Sequence, residues 1–169
     1  MSGTPVETER KFLIKMPDIV TLTALDGLQV KQIEQTYLLT DGTTSSRVRR
    51  IVERERTYFV KTVKKRISTL SCYEDENEIS DIQYNEELKN ADPQKSTILK
   101  TRYAFPFHSH TVEIDIYPFW NDRAILEIEM NSEDEKTEIP EFIEVIKEVS
   151  EDKRYKNTNL ARKVPMDKI

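Results

Sequence analysis

Between Val6 and Lys15 the chain reads VETERKFLIK, which puts Glu7, Glu9 and Lys11 on one face of a strand and Val6, Phe12 and Ile14 on the other. Side chains alternate faces along a strand, so residues two apart lie side by side. The pattern predicts an antiparallel strand with one polar and one buried face. MPDIVTLTALDGL then reads as a short helix, with Pro17 in its first turn and Gly27 ending it. Alternation resumes in KQIEQTYLLT and, after a turn at Asp41 and Gly42, in SSRVRRIV, RTYFVKTVKK and TLSCYEDENEIS. DIQYNEELKNADP reads as a helix closed by Pro93, and the strand runs STILKTRYAF, HTVEIDIYPF and RAILEIEMNS follow. Two helical stretches complete the chain: IPEFIEVIKEVS, with Phe142, Ile143, Ile146 and Val149 at helical spacing, and NTNLARKV. The fold class is α+β, mainly β. About eight antiparallel strands suit a closed barrel or a strongly curled sheet.

The polar faces carry like charges in pairs. Arg47 and Arg49 flank Val48; Lys100 and Arg102 flank Thr101; Glu113 and Asp115 flank Ile114; Glu127 and Glu129 flank Ile128; Glu74, Glu76 and Glu78 share one face. Like charges so close repel, so an ordinary solvated surface gains little from repeating the device. Gathered inside one barrel, they would be costly unless paired, hydrated or neutralised by a ligand. Such an interior implies a polyanion with a divalent cation. Arginine grips phosphate oxygens through two parallel hydrogen bonds, and lysine supplies a compact charge. Carboxylates such as Glu7, Glu9, Glu127 and Glu129 suit Mg²⁺ or Mn²⁺. Alternation alone leaves the solvated-face reading equally open.

Composition narrows the classes. The 169 residues, 37% hydrophobic and 34% charged, fit a single domain over 1–169 with a core at about 5–162. No apolar run is long enough to span a membrane and no signal peptide opens the chain, so the expected location is cytoplasmic. Cys72 is the single cysteine, which excludes an internal disulfide and a multi-thiolate metal site. The net charge of −5 argues against a nucleic-acid binder. There are only three glycines and no phosphate-cradling glycine loop, so side chains must hold any phosphate. His108 and His110, in HSH after FPF, read as an exposed hairpin loop, and Trp120 as packing at a strand end.

ETERKFLI resembles the ExExK signature of the CYTH superfamily, the triphosphate tunnel metalloenzymes, and in particular its short bacterial members. RVRR, TVK, ILKTRY, EIDIY, LEIEM and EVSEDKRYKNTNLA resemble later motifs in the family's order, from Glu7 to Ala161. The resemblance implies an eight-stranded antiparallel tunnel with helices packed outside and Mg²⁺- or Mn²⁺-dependent hydrolysis of a triphosphate, inorganic triphosphate before a nucleoside or thiamine triphosphate. It implies Glu7, Glu9, Glu127 and Glu129 as metal ligands, with Glu76, Glu113 and Asp115 supporting them. It implies Lys11, Arg47, Arg49, Lys64, Lys100, Arg102 and Arg154 as phosphate contacts, with Arg154 capping the tunnel; on mechanistic grounds Lys100, with Tyr37, is the candidate water activator. No nucleic-acid or membrane partner is expected, and the protein is expected to be a monomer or homodimer. One departure stands out: Cys72 replaces an arginine common in relatives, with Lys61, Lys65 and Arg66 the candidates to compensate. The alternatives are a cyclase making cyclic AMP from ATP and a non-catalytic polyphosphate-binding module.

Overall fold

The structure, a computed structural model, describes residues 5–169. Its strands are β1 (Val6–Lys15), β2 (Gln29–Tyr37), β3 (Ser45–Glu53), β4 (Arg56–Arg66), β5 (Ser71–Ile79), β6 (Ile98–Phe107), β7 (His110–Ile116), β8 (Arg123–Glu129) and β9 (Val145–Glu148). All pair antiparallel, in the spatial order β5-β4-β3-β2-β6-β7-β8-β1. β1 then pairs back to β5 through Val6↔Tyr73, Glu7↔Cys72 and Thr8↔Ser71, which closes an eight-stranded barrel. Thr8 and Ser71 add a side-chain hydrogen bond of 2.8 Å to this seam.

The helices lie where their caps and apolar residues put them. Asp18 caps α1 (Ile19–Thr23) through Thr21, and Leu22 is buried beneath it. Ser80 and Gln83 form a reciprocal capping box at the start of α2 (Asp81–Leu88), satisfying two otherwise free backbone donors. Tyr84 of α2 packs on Leu38 and Val48 outside the barrel, with its ring 4.7 Å from that of Phe59. Gly27, at φ +71, turns the chain into β2 where a Cβ would meet Pro106 at 3.0 Å. No described helix is long and apolar enough to cross a membrane.

Two sequence expectations change. Val145–Glu148 is a strand rather than part of a helix over IPEFIEVIKEVS. Beyond Thr8 the β5 partner peels away, leaving one edge of β1 with unpaired backbone groups. β9 takes that edge through Leu13↔Lys147, flanked by the Glu144 carbonyl accepting from the Lys15 amide and the Lys11 carbonyl accepting from the Val149 amide. Backbone hydrogen-bond demand thus overrides a helical spacing of apolar residues, and the barrel gains a ninth strand on its outside. Val6, expected to pack under the helices, is 54% exposed, whereas Phe12 and Ile14 are buried as expected.

Two apolar layers hold the barrel. Phe12, Ile14, Phe105, Val112, Ile114, Leu126 and Ile128 pack on its outer side against Leu22 and Ile143. At one end, Leu13, Ile98, Tyr117 and Ile125 meet Trp120, Tyr155, Leu160 and Ala161. Tyr155 lies in a 3-10 turn (Lys153–Tyr155) and Leu160 in α3 (Asn157–Leu160), so this layer fastens the C-terminal segment across the barrel end. The Trp120 indole N–H donates to the Pro165 carbonyl at 2.9 Å, and the Tyr117 hydroxyl donates to Asn157 at 2.6 Å. Replacing Trp120 by alanine is expected to cost about 3–5 kcal/mol, the usual range for truncating a buried aromatic side chain. Urea unfolding measures it, and a loss under about 1 kcal/mol would show that the segment does not depend on this anchor.

Candidate active site

Directly opposed residues on antiparallel neighbours share a face, so the register fixes what points inward. Lys11 opposes Glu127 and Glu127 opposes Glu113; Asp115 opposes Arg102 and Arg102 opposes Lys31; Gln35 opposes Arg49, and Tyr37 opposes Arg47. Arg47 opposes Thr62, Lys64 opposes Glu74 and Glu7 opposes Cys72, which completes the circuit. This face encloses a cavity of about 680 Å³. Its lining runs from Thr40, residues 42–46, Lys95, Lys156 and Arg162 at one end to Lys31, Ile51 and Tyr58 at the other.

Strand order sorts the charges into two walls. β4, β3, β2 and β6 stand side by side and bring Lys64, Arg47, Arg49, Lys31, Lys100 and Arg102. β5, β1, β8 and β7 complete the circle with Glu74, Glu76, Glu7, Glu9, Glu127, Glu129, Glu113 and Asp115, with Lys11 among them. Ion pairs form where the walls meet. Across one seam Lys64 lies 2.5 Å from Glu7 and 3.0 Å from Glu74. Across the other, Lys100 lies 2.7 Å from Asp115, while Arg102 reaches Asp115 at 2.7 Å and Glu113 at 2.5 Å. Within the acidic wall, Lys11 lies 3.3 Å from Glu127.

Most residues singled out from the sequence are gathered here. Glu7, Glu9, Lys11, Tyr37, Arg47, Arg49, Lys64, Glu76, Arg102, Glu113, Glu127 and Glu129 line the cavity. Lys100 and Asp115 lie on the same face but are fully buried as a pair and do not line the open space. Arg154 is elsewhere: half exposed, it pairs with Asp152 at 2.7 Å and Asp167 at 2.9 Å and does not line the cavity. Two neighbouring carboxylates hold it outside. His108 is exposed, but His110 begins β7 and is largely buried against Glu135 at 2.8 Å, so the expected exposed loop holds for only one of them.

Solved structures share this architecture over most of the chain. The inorganic triphosphatase NE1496 aligns with a TM-score of 0.57 at 26% identity, covering 98% of each chain. A conserved hypothetical protein from Pyrococcus furiosus gives 0.58 at 23% identity, covering 76% of this chain and 80% of its own. A putative adenylate cyclase from Bacillus halodurans gives 0.50 at 16%, covering 75% and 81%, a likeness of fold. No family model and no curated protein matches the sequence. The closed eight-stranded antiparallel barrel and the likeness to the triphosphatase NE1496 are consistent with the CYTH superfamily.

In this barrel the unsettled charges sit in the middle of each wall, away from the seams. Burial and the neighbouring charges of Glu127 and Glu7 push Glu9 up to about 8. A shared hydrogen bond with Glu113, then burial and nearby carboxylates, push Glu129 to about 8. Glu9 and Glu129 stand directly opposite one another. On the basic wall, burial and the charges of Arg47 and Arg102 draw Arg49 down to about 10, and the buried Nε of Arg47 has no hydrogen-bond partner. Near the seam, burial pushes Lys100 down to about 7 against the attraction of Asp115, with Arg102 and Arg49 adding to the effect.

The acidic wall fits a hard divalent cation by its donor chemistry: carboxylate oxygens in excess, some too crowded to ionise together. Among the described residues no three such groups are already drawn together as a metal cluster. Their nearest cations are Lys64, Lys11 and Arg102.

Sequence reasoning missed Lys31, Lys95, Lys156 and Arg162, which line the cavity, and Gln35, buried behind it. Lys31 shares the alternation of Ile33 and Gln35 and was legible in principle; the others arrive by tertiary packing. Of the candidates to replace the missing arginine, Lys61 pairs with Glu87 of α2 and does not line the cavity, whereas Arg66 opposes Cys72 and lines it.

A carboxyl group raised in the folded state binds its proton more tightly there than when unfolded. The stabilisation is complete below the ordinary glutamate value and is lost as pH rises through about 8. Stability without divalent ions should therefore fall between about pH 4.5 and 8, and Glu9→Gln should flatten part of that fall. Urea unfolding at pH 5 and pH 8 in chelator tests this; identical slopes in the two proteins would refute the assignment to Glu9.

Proposed function

We propose that the protein hydrolyses inorganic triphosphate to release orthophosphate, with Mg²⁺ or Mn²⁺, acting in the cytoplasm. The supporting observation is the division of one enclosed interior into facing walls, cationic and anionic, each carrying uncompensated groups at its centre. A linear triphosphate is the complementary ligand for the first wall, and a divalent cation for the second. The likeness to the triphosphatase NE1496 supports the same reading.

Arg47 and Arg49 project from the centre of the basic wall and would grip phosphate oxygens, with Lys64 and Arg102 at the two seams exchanging carboxylate partners for phosphate. Lys11 would reach the phosphate from the acidic side. Glu7, Glu9, Glu127 and Glu129 would hold the ion, supported by Glu76, Glu113 and Asp115. Bound there, the ion would supply charge neutralisation at the phosphate oxygens. The protein's own contribution is fixed charge held inside the barrel, needed because phosphoryl transfer depends mostly on positioning and electrostatic stabilisation. Lys100, drawn down to about 7 and hydrogen-bonded to Asp115 beneath the cavity, gives up its proton more readily than an ordinary lysine, and would have to part from Asp115 to activate a water in the open space.

Phosphate release from inorganic triphosphate, ATP and thiamine triphosphate, each with Mg²⁺, Mn²⁺ or chelator, is the deciding assay. Metal-dependent release, fastest from inorganic triphosphate, is expected. Cyclic AMP from ATP would assign a cyclase instead, and tight binding without turnover a binding module. The Glu7→Gln, Glu9→Gln double variant should fold but lose metal-dependent turnover. Arg49→Ala should chiefly raise KM, and an unchanged KM would remove Arg49 from phosphate binding.

A further inference from the structure

Gln35 is fully buried on the basic wall, between the side chains of two cavity-lining residues. Its Oε1 accepts from Arg49 Nε at 2.6 Å, and its Nε2 donates to the Tyr37 hydroxyl oxygen at 2.8 Å. The orientation of this amide follows from chemistry. A guanidinium nitrogen can only donate, so the atom facing Arg49 must be the oxygen and the atom facing Tyr37 must be the NH₂. Tyr37 therefore receives a hydrogen bond on its oxygen, which leaves its own proton to be donated elsewhere. No acceptor for that proton is found among the described residues, although Tyr37 is only 3% exposed.

The same bond constrains Arg49. With Nε fixed to Gln35, the planar guanidinium cannot swing about its long stem, and its two terminal nitrogens remain for a ligand. One amide thus sets the direction of two donors on neighbouring strands β2 and β3. A ligand meeting both must be rich in acceptors and carry negative charge, which a phosphate oxygen set provides.

We propose that Gln35 is a positioning residue: it orients the Arg49 guanidinium and turns the Tyr37 hydroxyl into a hydrogen-bond donor for an oxygen of the bound triphosphate. This rests on the triphosphate reading of the cavity and gives Tyr37 a phosphate-binding role instead of a water-activating one. Fixing donors before the ligand arrives removes the ordering cost from binding. The arrangement also gives Gln35 and Tyr37 a shared effect, since each acts through their common hydrogen bond.

The test is titration calorimetry with inorganic triphosphate in chelator, on the wild type, Gln35→Met, Tyr37→Phe and the double variant. Methionine keeps the length of glutamine but makes neither bond, and phenylalanine removes only the hydroxyl. Each single variant is expected to weaken binding on the order of tenfold, as for one hydrogen bond to a charged group, and the double variant should fall well short of the product of the two losses. Unchanged affinity in folded Gln35→Met, or losses that multiply fully, would overturn the coupling. NMR detection of the Arg49 Nε–H supplies a readout independent of ligand: it should be protected in the wild type and exchange rapidly in Gln35→Met. A protected, Gln35-dependent Nε–H in a wild type that binds no triphosphate would overturn the substrate reading and the phosphate role of Tyr37 while leaving the Gln35 anchor intact. An Nε–H indifferent to Gln35 would overturn the positioning itself.

Discussion

Three residue pairs between β1 and β5 turn a curled sheet into a closed barrel, and the chemistry of the interior follows from that closure. An open sheet would leave the faces of Glu7, Arg47 and Glu127 in water, where their repetition would have little consequence. Closure makes them share one enclosed space. Charges removed from water must then be compensated by each other or by something bound. The barrel achieves most of its compensation at the two seams between its walls, where Lys64 meets Glu7 and Glu74, and Arg102 meets Asp115 and Glu113, with Lys11 and Glu127 pairing inside the acidic wall.

The centres of the walls follow from geometry. Strands in the middle of a wall have neighbours of the same sign on both sides, so their side chains find repulsion where seam residues find partners. Glu9 and Glu129 respond by holding protons, and Arg49 by an easier loss of its own together with a neutral partner in Gln35. This frustration has a cost in the folded protein, of the kind natural proteins accept at functional sites. A ligand that relieves both walls at once would stabilise the fold as it binds.

The alternation of each strand was legible in the sequence, and with it the face on which every candidate carboxylate and cation lies. Sorting into walls was not. Along the chain the signs run acidic in β1, basic in β2 to β4, acidic in β5, basic in β6 and acidic in β7 and β8. Only the long-range pairing of β6 with β2 and of β5 with β1 makes the walls contiguous. Local patterns carry no information about which distant strands pair. β9 escaped for a related reason, since its structure is dictated by the vacant edge of β1, and Arg154 because Asp167, thirteen residues later, competes for its guanidinium. Gln35 escaped because a neutral amide among charged alternations looks like filler until its two partners are known.

The same alternation that supplies the charges also seals them. Two residues beyond Lys11 on its face comes Leu13, two before Glu127 comes Ile125, two beyond Asp115 comes Tyr117 and two before Lys100 comes Ile98. All are buried with Trp120, Tyr155 and Leu160, so on this side the inner face passes from ionic to apolar within one step and is covered by the C-terminal segment. Water is thereby kept from the floor beneath Lys100 and Asp115, whose side chains are 0% and 1% exposed. Lower local polarity strengthens every interaction above it, so the apolar plug works as part of the charged site. That makes the tail of the chain, although Tyr155 and Leu160 do not line the cavity, a determinant of how strongly the walls act.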